Sequence, residues 1–151
     1  MRTLFTAGIL AALAAPLNAQ WNPNTAVNSL VSVGVTDDLQ AITGPSGRTY
    51  VAMFQPGATS TTPWLQILNE QGVPQLGTNG IQFNNTTPMS TYTVTWDMRL
   101  DAQEHVYIGF TGTGNTDAVV HRLDSTGSHV WSPSGVALGQ GYDVKLLPLA
   151  N

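Results

Sequence analysis

One short sequence pattern recurs three times along the chain at a constant step of 55 residues. Its copies begin at Trp21, Leu76 and Trp131, and each leading residue is followed by a short run of Asn, Pro, Gly, Ser or Thr. The segments 69–72 (Asn-Glu-Gln-Gly) and 124–127 (Asp-Ser-Thr-Gly) are separated by the same step of 55. Markers that recur in one order at one spacing predict successive copies of a single supersecondary unit, each burying its faces against its neighbours.

Within each unit the side-chain pattern predicts β-strands. From Thr91 to Leu100 polar and apolar residues alternate strictly, and a period of two places all the apolar side chains on one face of a strand. The segments 50–54 and 106–110 are instead apolar at nearly every position, which indicates strands covered on both faces. Third strands are predicted at about 64–68 and 118–123, fourth strands from about 81 and 136, and turns at 69–72 and 124–127.

Four short antiparallel strands, repeated at this length and covered on both faces, are typical of a β-propeller blade. We therefore predict an all-β fold, a partial β-propeller of four-stranded antiparallel blades, with a β-sandwich as the alternative. Because a propeller typically needs at least four blades, we expect the chain to be the N-terminal piece of a longer protein or to complete a ring with a second chain. The predicted divisions are 20–34, a strand that would complete the last blade; 35–89, the first blade; 90–140, the second blade; and 141–151, the start of a truncated third blade.

The composition excludes several other classes of protein. Of 151 residues, five are Lys or Arg and nine are Asp or Glu, for a formal net charge of −4. Surface helices need more charged residues than this, so a helical bundle is excluded, and the scarcity of basic residues excludes a nucleic-acid-binding surface. The chain has no cysteine, which excludes a disulfide-stapled scaffold, a thiol nucleophile and a cysteine-based metal site.

Residues 1–19 are predicted to be a secretory signal peptide. Arg2 precedes a nearly uninterrupted apolar run from Leu4 to Ala15, which is too short to cross a bilayer because a membrane span takes about 20 apolar residues. The best cleavage point lies between Ala19 and Gln20. No later segment is long and apolar enough to span a membrane, so we expect the mature protein to be secreted or held on a bacterial cell surface.

Three stretches of the sequence share a further set of features. They are Trp21–Asn28, Gly44–Phe54 and Arg122–Val136, and the last combines an Asp-x-x-Gly turn, a following tryptophan and a glycine-hydrophobic step. In these features the chain resembles secreted propeller-repeat proteins of Gram-negative bacteria. The resemblance implies a long secreted protein, often with a C-terminal sorting domain that attaches it to the cell surface, and it implies no single activity. The chain departs from the family pattern at Leu76, where a tryptophan is expected, and no sorting tail follows within its 151 residues.

Motifs of catalysis and metal binding are absent from the sequence. There is no Gly-x-Ser-x-Gly elbow, no phosphate-binding glycine loop that opens a helix and no His-Glu-x-x-His helix. His105 and His121 are expected on one face of neighbouring strands, but two imidazoles are too few ligands for a metal argument. We therefore expect no catalytic residue, no cofactor and no metal site.

The candidate ligand contacts are three carboxylates and one tryptophan. Asp38, Asp97 and Asp143 open the successive units, and if they faced a central channel they would form a ring able to hold a cation or sugar hydroxyls. The favoured alternative is that each accepts hydrogen bonds from backbone amides of its own strand or of the adjoining blade. Trp64 is the candidate for stacking on a sugar ring, because Trp96 lies in an apolar stripe and is expected in the core.

The sequence as a whole predicts a non-catalytic secreted or cell-surface propeller-type repeat domain. It would act as a binding or scaffolding module, with a surface glycan or protein of unknown identity as its partner. The alternative is the N-terminal part of a propeller-fold enzyme that acts on polysaccharide and has its catalytic residues outside this chain.

Overall fold

The computed structural model describes residues 30–34, 36–57, 60–87, 96–112, 117–141 and 143–148. The predicted signal peptide, its cleavage site between Ala19 and Gln20, and Trp21 lie outside these residues. The described part of the chain is all-β, with two four-stranded antiparallel sheets and no helix. It accordingly contains no helix of the length and apolarity that a membrane span requires.

Eight strands follow one another along the chain, and strands adjacent in sequence are adjacent in each sheet. The first sheet contains β1 (Asp37–Thr43), β2 (Thr49–Pro56), β3 (Thr61–Leu68) and β4 (Ile81–Gln82), and the second contains β5 (Trp96–Leu100), β6 (Val106–Thr111), β7 (Ala118–Leu123) and β8 (Val136–Gly139). The second, third and fourth strands predicted for each unit are confirmed. Of the alternating strand predicted at 91–100, residues 96–100 form β5 and residues 91–95 lie outside the described residues.

Four turns of one kind connect the strands within the two sheets. In each, the amide of the fourth residue donates to the carbonyl of the first, and the amide of the first donates to the carbonyl of the fifth; these turns span 44–48, 69–73, 101–105 and 124–128. The fourth residues all have positive φ, and they are Gly47, Gly72, Glu104 and Gly127. Positive φ favours glycine, which has no Cβ, so Glu104 is an exception that needs a compensating contact. The turns predicted at 69–72 and 124–127 are confirmed.

These turns also fix which residues of the two sheets correspond to each other. Tyr50 and Tyr107 each lie three residues after the fourth residue of the turn that precedes the second strand. Tyr50 points into the core between the sheets, whereas Tyr107 lies on the face of its sheet that points away from that core. We call the face that carries Tyr50 or Tyr107 the front face and the opposite one the back face. The front face of the first sheet therefore packs on the back face of the second.

The apolar core lies between these two faces. Its buried members from the first sheet and the chain that follows it are Tyr50, Ala52, Phe54, Leu65, Ile67 and Phe83, and those from the second sheet are Trp96, Met98, Val106, Ile108, Phe110, Val119 and Leu123. Burial of apolar area at about 25 cal/mol per Å² is the main stabilising contribution here, because no disulfide is available.

Two segments without strands flank the pair of sheets. Residues 30–34 are the described part of the strand predicted at 20–34, and residues 143–148 belong to the predicted third blade; neither contains a strand. The Gln66 side chain on the first back face donates to the Val31 carbonyl at 3.4 Å. On the second front face the Leu146 amide donates to an Asp97 carboxylate oxygen at 2.8 Å.

Candidate functional site

The two sheets meet through an aromatic cluster. Phe54 on the first front face lies with its ring centroid 4.8 Å from that of Trp96 and 6.2 Å from that of Phe110, with interplanar angles of 76° and 78°. Such edge-to-face pairs contribute about 0.5–1.5 kcal/mol each beyond area burial. Phe54 is 1% exposed and Trp96 is 4% exposed, so the expectation that Trp96 lies in the core is confirmed. This interface is a packed core and leaves no cleft for a ligand between these rings.

A single carboxylate joins the first turns of the two sheets. Glu104 Oε1 accepts a hydrogen bond from the Ser46 amide at 2.6 Å, and Oε2 accepts from the Ser46 hydroxyl at 2.7 Å and from the Tyr50 hydroxyl at 3.0 Å. Gly44 makes room for it, because a Cβ built there would lie 2.5 Å from Glu104 Oε1. The three other turns begin with Asn or Asp, whose own Oδ1 accepts the corresponding amide. Gly44 has no side chain to accept the corresponding Ser46 amide, and the Glu104 carboxylate accepts it instead. Glu104 thus caps the turn of the neighbouring unit.

The same contacts shift two pKa values. Burial alone would raise the pKa of Glu104, but hydrogen bonds from Ser46 and Tyr50, together with the charge of Arg48, outweigh burial and hold that pKa below 4.5. Burial, and then the hydrogen bond to Glu104, raises the pKa of Tyr50 to about 12. At neutral pH Glu104 is therefore ionised and Tyr50 is a neutral donor, so these are charge-assisted hydrogen bonds.

The His121 side chain lies buried in the interface core. It is 0% exposed, its ring stacks on Phe110 with centroids 5.8 Å apart, and it meets Phe83 edge-on at 5.3 Å. Neither of its ring nitrogens has a hydrogen-bond partner within the described part of the chain. Burial, followed by the neighbouring His129, lowers the pKa of His121 to about 4. The fold thus holds His121 as a neutral imidazole.

His105, in contrast, does not share a face with His121, so that prediction is wrong. His121 faces the first sheet, while His105 Nδ1 lies 2.9 Å from Asp101 Oδ2 and 3.0 Å from Arg122 Nη2 on the front side of the second sheet. The physical reason is the pleat: Arg122, which His105 contacts, and His121 are adjacent in β7 and point to opposite faces. Within the described ranges no group of three or more His, Cys, Asp or Glu side chains is placed to hold a metal ion.

Two of the three candidate carboxylates bond to the chain that follows their own unit. Asp38 Oδ2 accepts a hydrogen bond from the Trp96 indole at 2.8 Å. Asp97 is 4% exposed, and its Oδ2 accepts from the Leu146 amide at 2.8 Å. Arg99 Nη1 lies 3.1 Å from the other Asp97 oxygen. Both carboxylates therefore have partners in the adjoining segment.

The register separates Asp38 from the point of the repeat that Asp97 occupies. Counted back from the first turn, Asp97 corresponds to Gln40, and Asp38 lies two residues further away, next to an irregularity in β1. The expectation that these carboxylates stand at one point of the repeat is wrong for Asp38, because spacing alone does not detect an extra residue in a strand. Asp143 is exposed, with its Oδ1 3.6 Å from Lys145 Nζ.

The front face of the second sheet carries a cluster of aromatic and charged side chains. The Arg122 guanidinium lies 5.2 Å from the centroid of the Tyr107 ring and 6.0 Å from that of Trp131. Arg122 Nη2 and the Tyr107 hydroxyl each lie 3.2 Å from Asp101 Oδ2. The charge of Asp101 is thus shared among several donors, while the rings of Tyr107 and Trp131 meet edge-on at 5.7 Å.

An apolar pocket of about 260 Å³ adjoins this cluster. Its lining residues are Tyr107, Val120, Trp131, Val136, Leu138, Leu146, Leu147 and Pro148. Trp131 is not among the ligand contacts that the sequence predicts. It is 38% exposed, and Leu138 is 58% exposed. This is the apolar surface that the described residues leave uncovered on the second sheet.

A second pocket lies on the first sheet, next to the candidate Trp64. It has a volume of about 310 Å³ and is lined by the uncharged residues Ser60, Thr61, Thr62, Pro63, Gln82, Asn84, Asn85 and Thr87. The half-buried Trp64 pairs with Gln82 across the strands, and its indole donates to the Thr62 hydroxyl at 3.0 Å. Trp64 is not among the residues that line this pocket, but it contacts two that are, Thr62 and Gln82.

Two features of the site were missed by sequence reasoning. A glutamate at the position that holds glycine in the other three turns was the available signal for Glu104, and a glycine at the usual Asn or Asp position was the signal for Gly44. Their pairing needs the two sheets to be adjacent, which no local pattern shows. No sequence pattern indicates the Arg122 cluster, because its position depends on which face of β7 packs against the first sheet and which face does not.

No protein-family model, curated protein or solved structure matches this chain.

Proposed function

We propose that this chain is a propeller-type repeat domain whose four-stranded units stack front to back. The packing of the first front face on the second back face supports this architecture. In a ring of similar units every front face meets the back face of the next unit, which is a head-to-tail contact. In a sandwich of two similar sheets related by a two-fold axis, corresponding faces would meet each other. The opposite orientations of Tyr50 and Tyr107 favour the ring.

Contacts at the start of the first unit support the same arrangement. Phe83, which follows the fourth strand of the first sheet, contacts His121 on the second back face. Gln66 corresponds to His121, and it bonds to Val31 of the preceding segment. Residues 30–34 therefore occupy, on the back face of the first sheet, the position that Phe83 occupies on the back face of the second. An N-terminal strand at 20–34 that completes a last blade would make this contact.

We propose further that the domain is a non-catalytic binding module for an uncharged glycan, secreted or held on a bacterial cell surface. The observation that carries the ligand class is the lining of the pocket near Trp64: its described residues offer hydroxyls and amides, and none of them is charged. Such groups can donate to and accept from sugar hydroxyls. The carboxylates of Asp97 and Glu104 are buried and engaged at contacts between units, so they are poorly placed for catalysis.

Binding of neutral polysaccharides to the exported protein, measured by calorimetry, tests this proposal. We expect at least one polysaccharide to bind, and Asn85→Ala to weaken the affinity about tenfold, as the loss of about 1.4 kcal/mol implies. Gln71→Ala, at an exposed turn of the same sheet, is the matched control and should bind like the parent. An absence of binding, or equal binding by Asn85→Ala, contradicts the glycan proposal. Release of new reducing ends supports the polysaccharide-active enzyme instead.

Export is tested separately, by the intact mass of the protein from a Gram-negative host. We expect a mass that lacks residues 1–19, because cleavage between Ala19 and Gln20 removes them. A full-length protein in the cytoplasm contradicts this part of the proposal and leaves the architecture to be judged by its own tests.

A further inference from the structure

We propose that the front face of the second sheet is the docking surface for a third four-stranded unit of the same polypeptide, whose first strand begins within residues 143–148. The proposal rests on the front-to-back architecture proposed above. The chemistry of this front face indicates which partner must cover it.

The apolar surface on this face has buried counterparts in the first unit. Val136 and Leu138 correspond to Ile81 and Phe83, since Val120–Val136 and Leu65–Ile81 are matching pairs. Leu138 is 58% exposed, whereas Phe83 is 3% exposed under the second unit. The second front face therefore has the apolar residues of a unit interface and, within the described part of the chain, only residues 143–148 against it.

The interface between the first and second units shows which kind of segment can pack on the second front face. Gly127 of the second unit lies on Leu76 and Ile81 of the first, and a Cβ at Gly127 would come within 2.9 Å of Ile81 Cδ1 and 3.0 Å of Leu76 Cδ1. Trp131 and Val136 are the counterparts of Leu76 and Ile81, and both line the apolar pocket. We infer that this pocket receives the Asx-x-x-Gly turn of the third unit, with its glycine against the Trp131 ring.

Residues 143–148 already enter this surface as a following first strand would. Gln40 bonds to the Trp96 carbonyl at 3.4 Å, and Asp97, its counterpart, accepts from the Leu146 amide at 2.8 Å. Val144 is 4% exposed and covers Gly109 so closely that a Cβ there would lie 2.5 Å from Val144 Cγ1. Gln40 in the first unit and Asp97 in the second are counterparts, and each bonds to the backbone of the segment that follows its own unit.

Charge restricts which unit can dock. The first unit has Gly44 at the start of its turn and accepts Glu104, whereas the second unit has Asp101 there, with its own donors. A glutamate in the docking unit at the position of Glu104 would meet the Asp101 carboxylate, and like charges at such distance repel. The third unit should therefore carry glycine at this turn position, as the first unit does with Gly47.

A second copy of this chain fits less well than a third unit. In a head-to-tail dimer the partner would have to present the back face of its first sheet. Val51, Met53 and Leu68 on that face are 2%, 0% and 0% exposed in the single chain. That face is already covered, so a copy could dock only after its own covering residues moved away.

Thiol labelling tests the proposal, because the 151 residues contain no cysteine, and the parent polypeptide of each length, labelled in parallel, gives the background to subtract. Leu138→Cys places one thiol on the proposed surface, and Val73→Cys, at a residue 51% exposed on the first unit, is the matched control. The labelling rate of each variant is compared between the 151-residue chain and the full polypeptide encoded by its native gene. We expect position 138 to be protected at least tenfold in the full polypeptide and position 73 to label equally in both.

Three results overturn the proposal: a native gene that encodes no further unit, equal labelling of position 138 in both polypeptides, or protection in the 151-residue chain that rises with its concentration. The last would assign the surface to a second copy. If Leu138→Cys disturbs the circular dichroism spectrum, Val136→Cys, at a residue 44% exposed, replaces it. Since no glycan is present, failure here is distinguishable from failure of the proposed binding function.

Discussion

At the scale of single residues, the contact between the two sheets depends on a carboxylate that caps a turn in the neighbouring unit. Glu104 adopts a φ of 61°, which an L-residue rarely takes. Its side chain then makes three hydrogen bonds to Ser46 and Tyr50. Hydrogen bonds to a charged group contribute about 1.5–3 kcal/mol each, which more than offsets the local backbone strain of about 1–3 kcal/mol.

Glu104→Gln is expected to lower the free energy of unfolding at pH 7 by about 1–3 kcal/mol, because the charge-assisted hydrogen bonds weaken. Chemical denaturation measures this change. Glu70→Gln is the matched control, since Glu70 is exposed, and it should change stability by less than about 0.5 kcal/mol. Equal stability of the two variants would show that the carboxylate does not hold the units together.

His121 predicts a dependence of stability on pH. Its pKa is about 4 in the fold, against an ordinary value of 6.5 for a histidine, so below pH 6.5 the unfolded chain takes up a proton that the folded chain does not. The contribution of His121 to stability is therefore complete above pH 6.5 and is lost as pH drops to about 4, by on the order of 3 kcal/mol, because the two pKa values differ by about 2.5.

Denaturation at several pH values between 7 and 4 checks this, with His121→Leu as the variant. We expect His121→Leu to lose this part of the slope and to keep its stability at pH 7, because an apolar side chain replaces a buried imidazole whose nitrogens have no partner among the described residues. Leu39→Ala, at an exposed position of the first sheet, should keep the slope. An unchanged slope in His121→Leu contradicts the assignment.

At the scale of elements, one turn geometry occurs four times. In the turn at 124–128 the glycine also determines how closely the two units approach. Gly127 has a φ of 82° and touches Ile81 and Leu76 of the other unit. Gly77 has a similar φ of 73°, and no described residue lies within 4 Å of a Cβ built there. The two glycines thus share the backbone requirement and differ in the contact between units.

Gly77→Ala is expected to cost about 1 kcal/mol from backbone strain alone, and Gly127→Ala about 2–3 kcal/mol because strain and steric overlap add. Thermal denaturation of both variants gives the comparison. The difference between them measures the interface contact, so equal destabilisation would mean that the turn does not press on the first sheet.

At the scale of the whole molecule, the front-to-back contact makes the two sheets mutually dependent. Phe54 belongs to the first sheet, yet its ring is buried against Trp96 and Phe110 of the second. Neither sheet encloses the shared core alone, because that core has members from both. The described molecule should therefore unfold as one cooperative unit.

Phe54→Ala is expected to reduce the free energy of unfolding by about 3–5 kcal/mol, the usual cost of deleting a buried phenyl group. Circular dichroism and tryptophan fluorescence should report the same single transition, shifted together. Leu39→Ala, at a residue 51% exposed, is the control and should shift it by less than about 0.5 kcal/mol. Two separate transitions would show that the sheets are independent domains.

Local pattern by itself determined the strands and turns of this protein. Continuous apolar runs at 50–54 and 106–110 and the turns at 69–72 and 124–127 lie where the sequence predicts them, because strand period and turn chemistry are properties of neighbouring residues. The burial of Trp96 followed from the same alternation.

Tertiary structure decided which neighbour covers each face. The pleat of β7 put His121 into the core and Arg122 on the outer front face, and an irregularity in β1 moved Asp38 out of step with Asp97. The cap that Glu104 supplies to the Gly44 turn joins residues 60 apart in the chain. A period of two says that a strand has two faces, but only the packing of one sheet on another determines what each face meets.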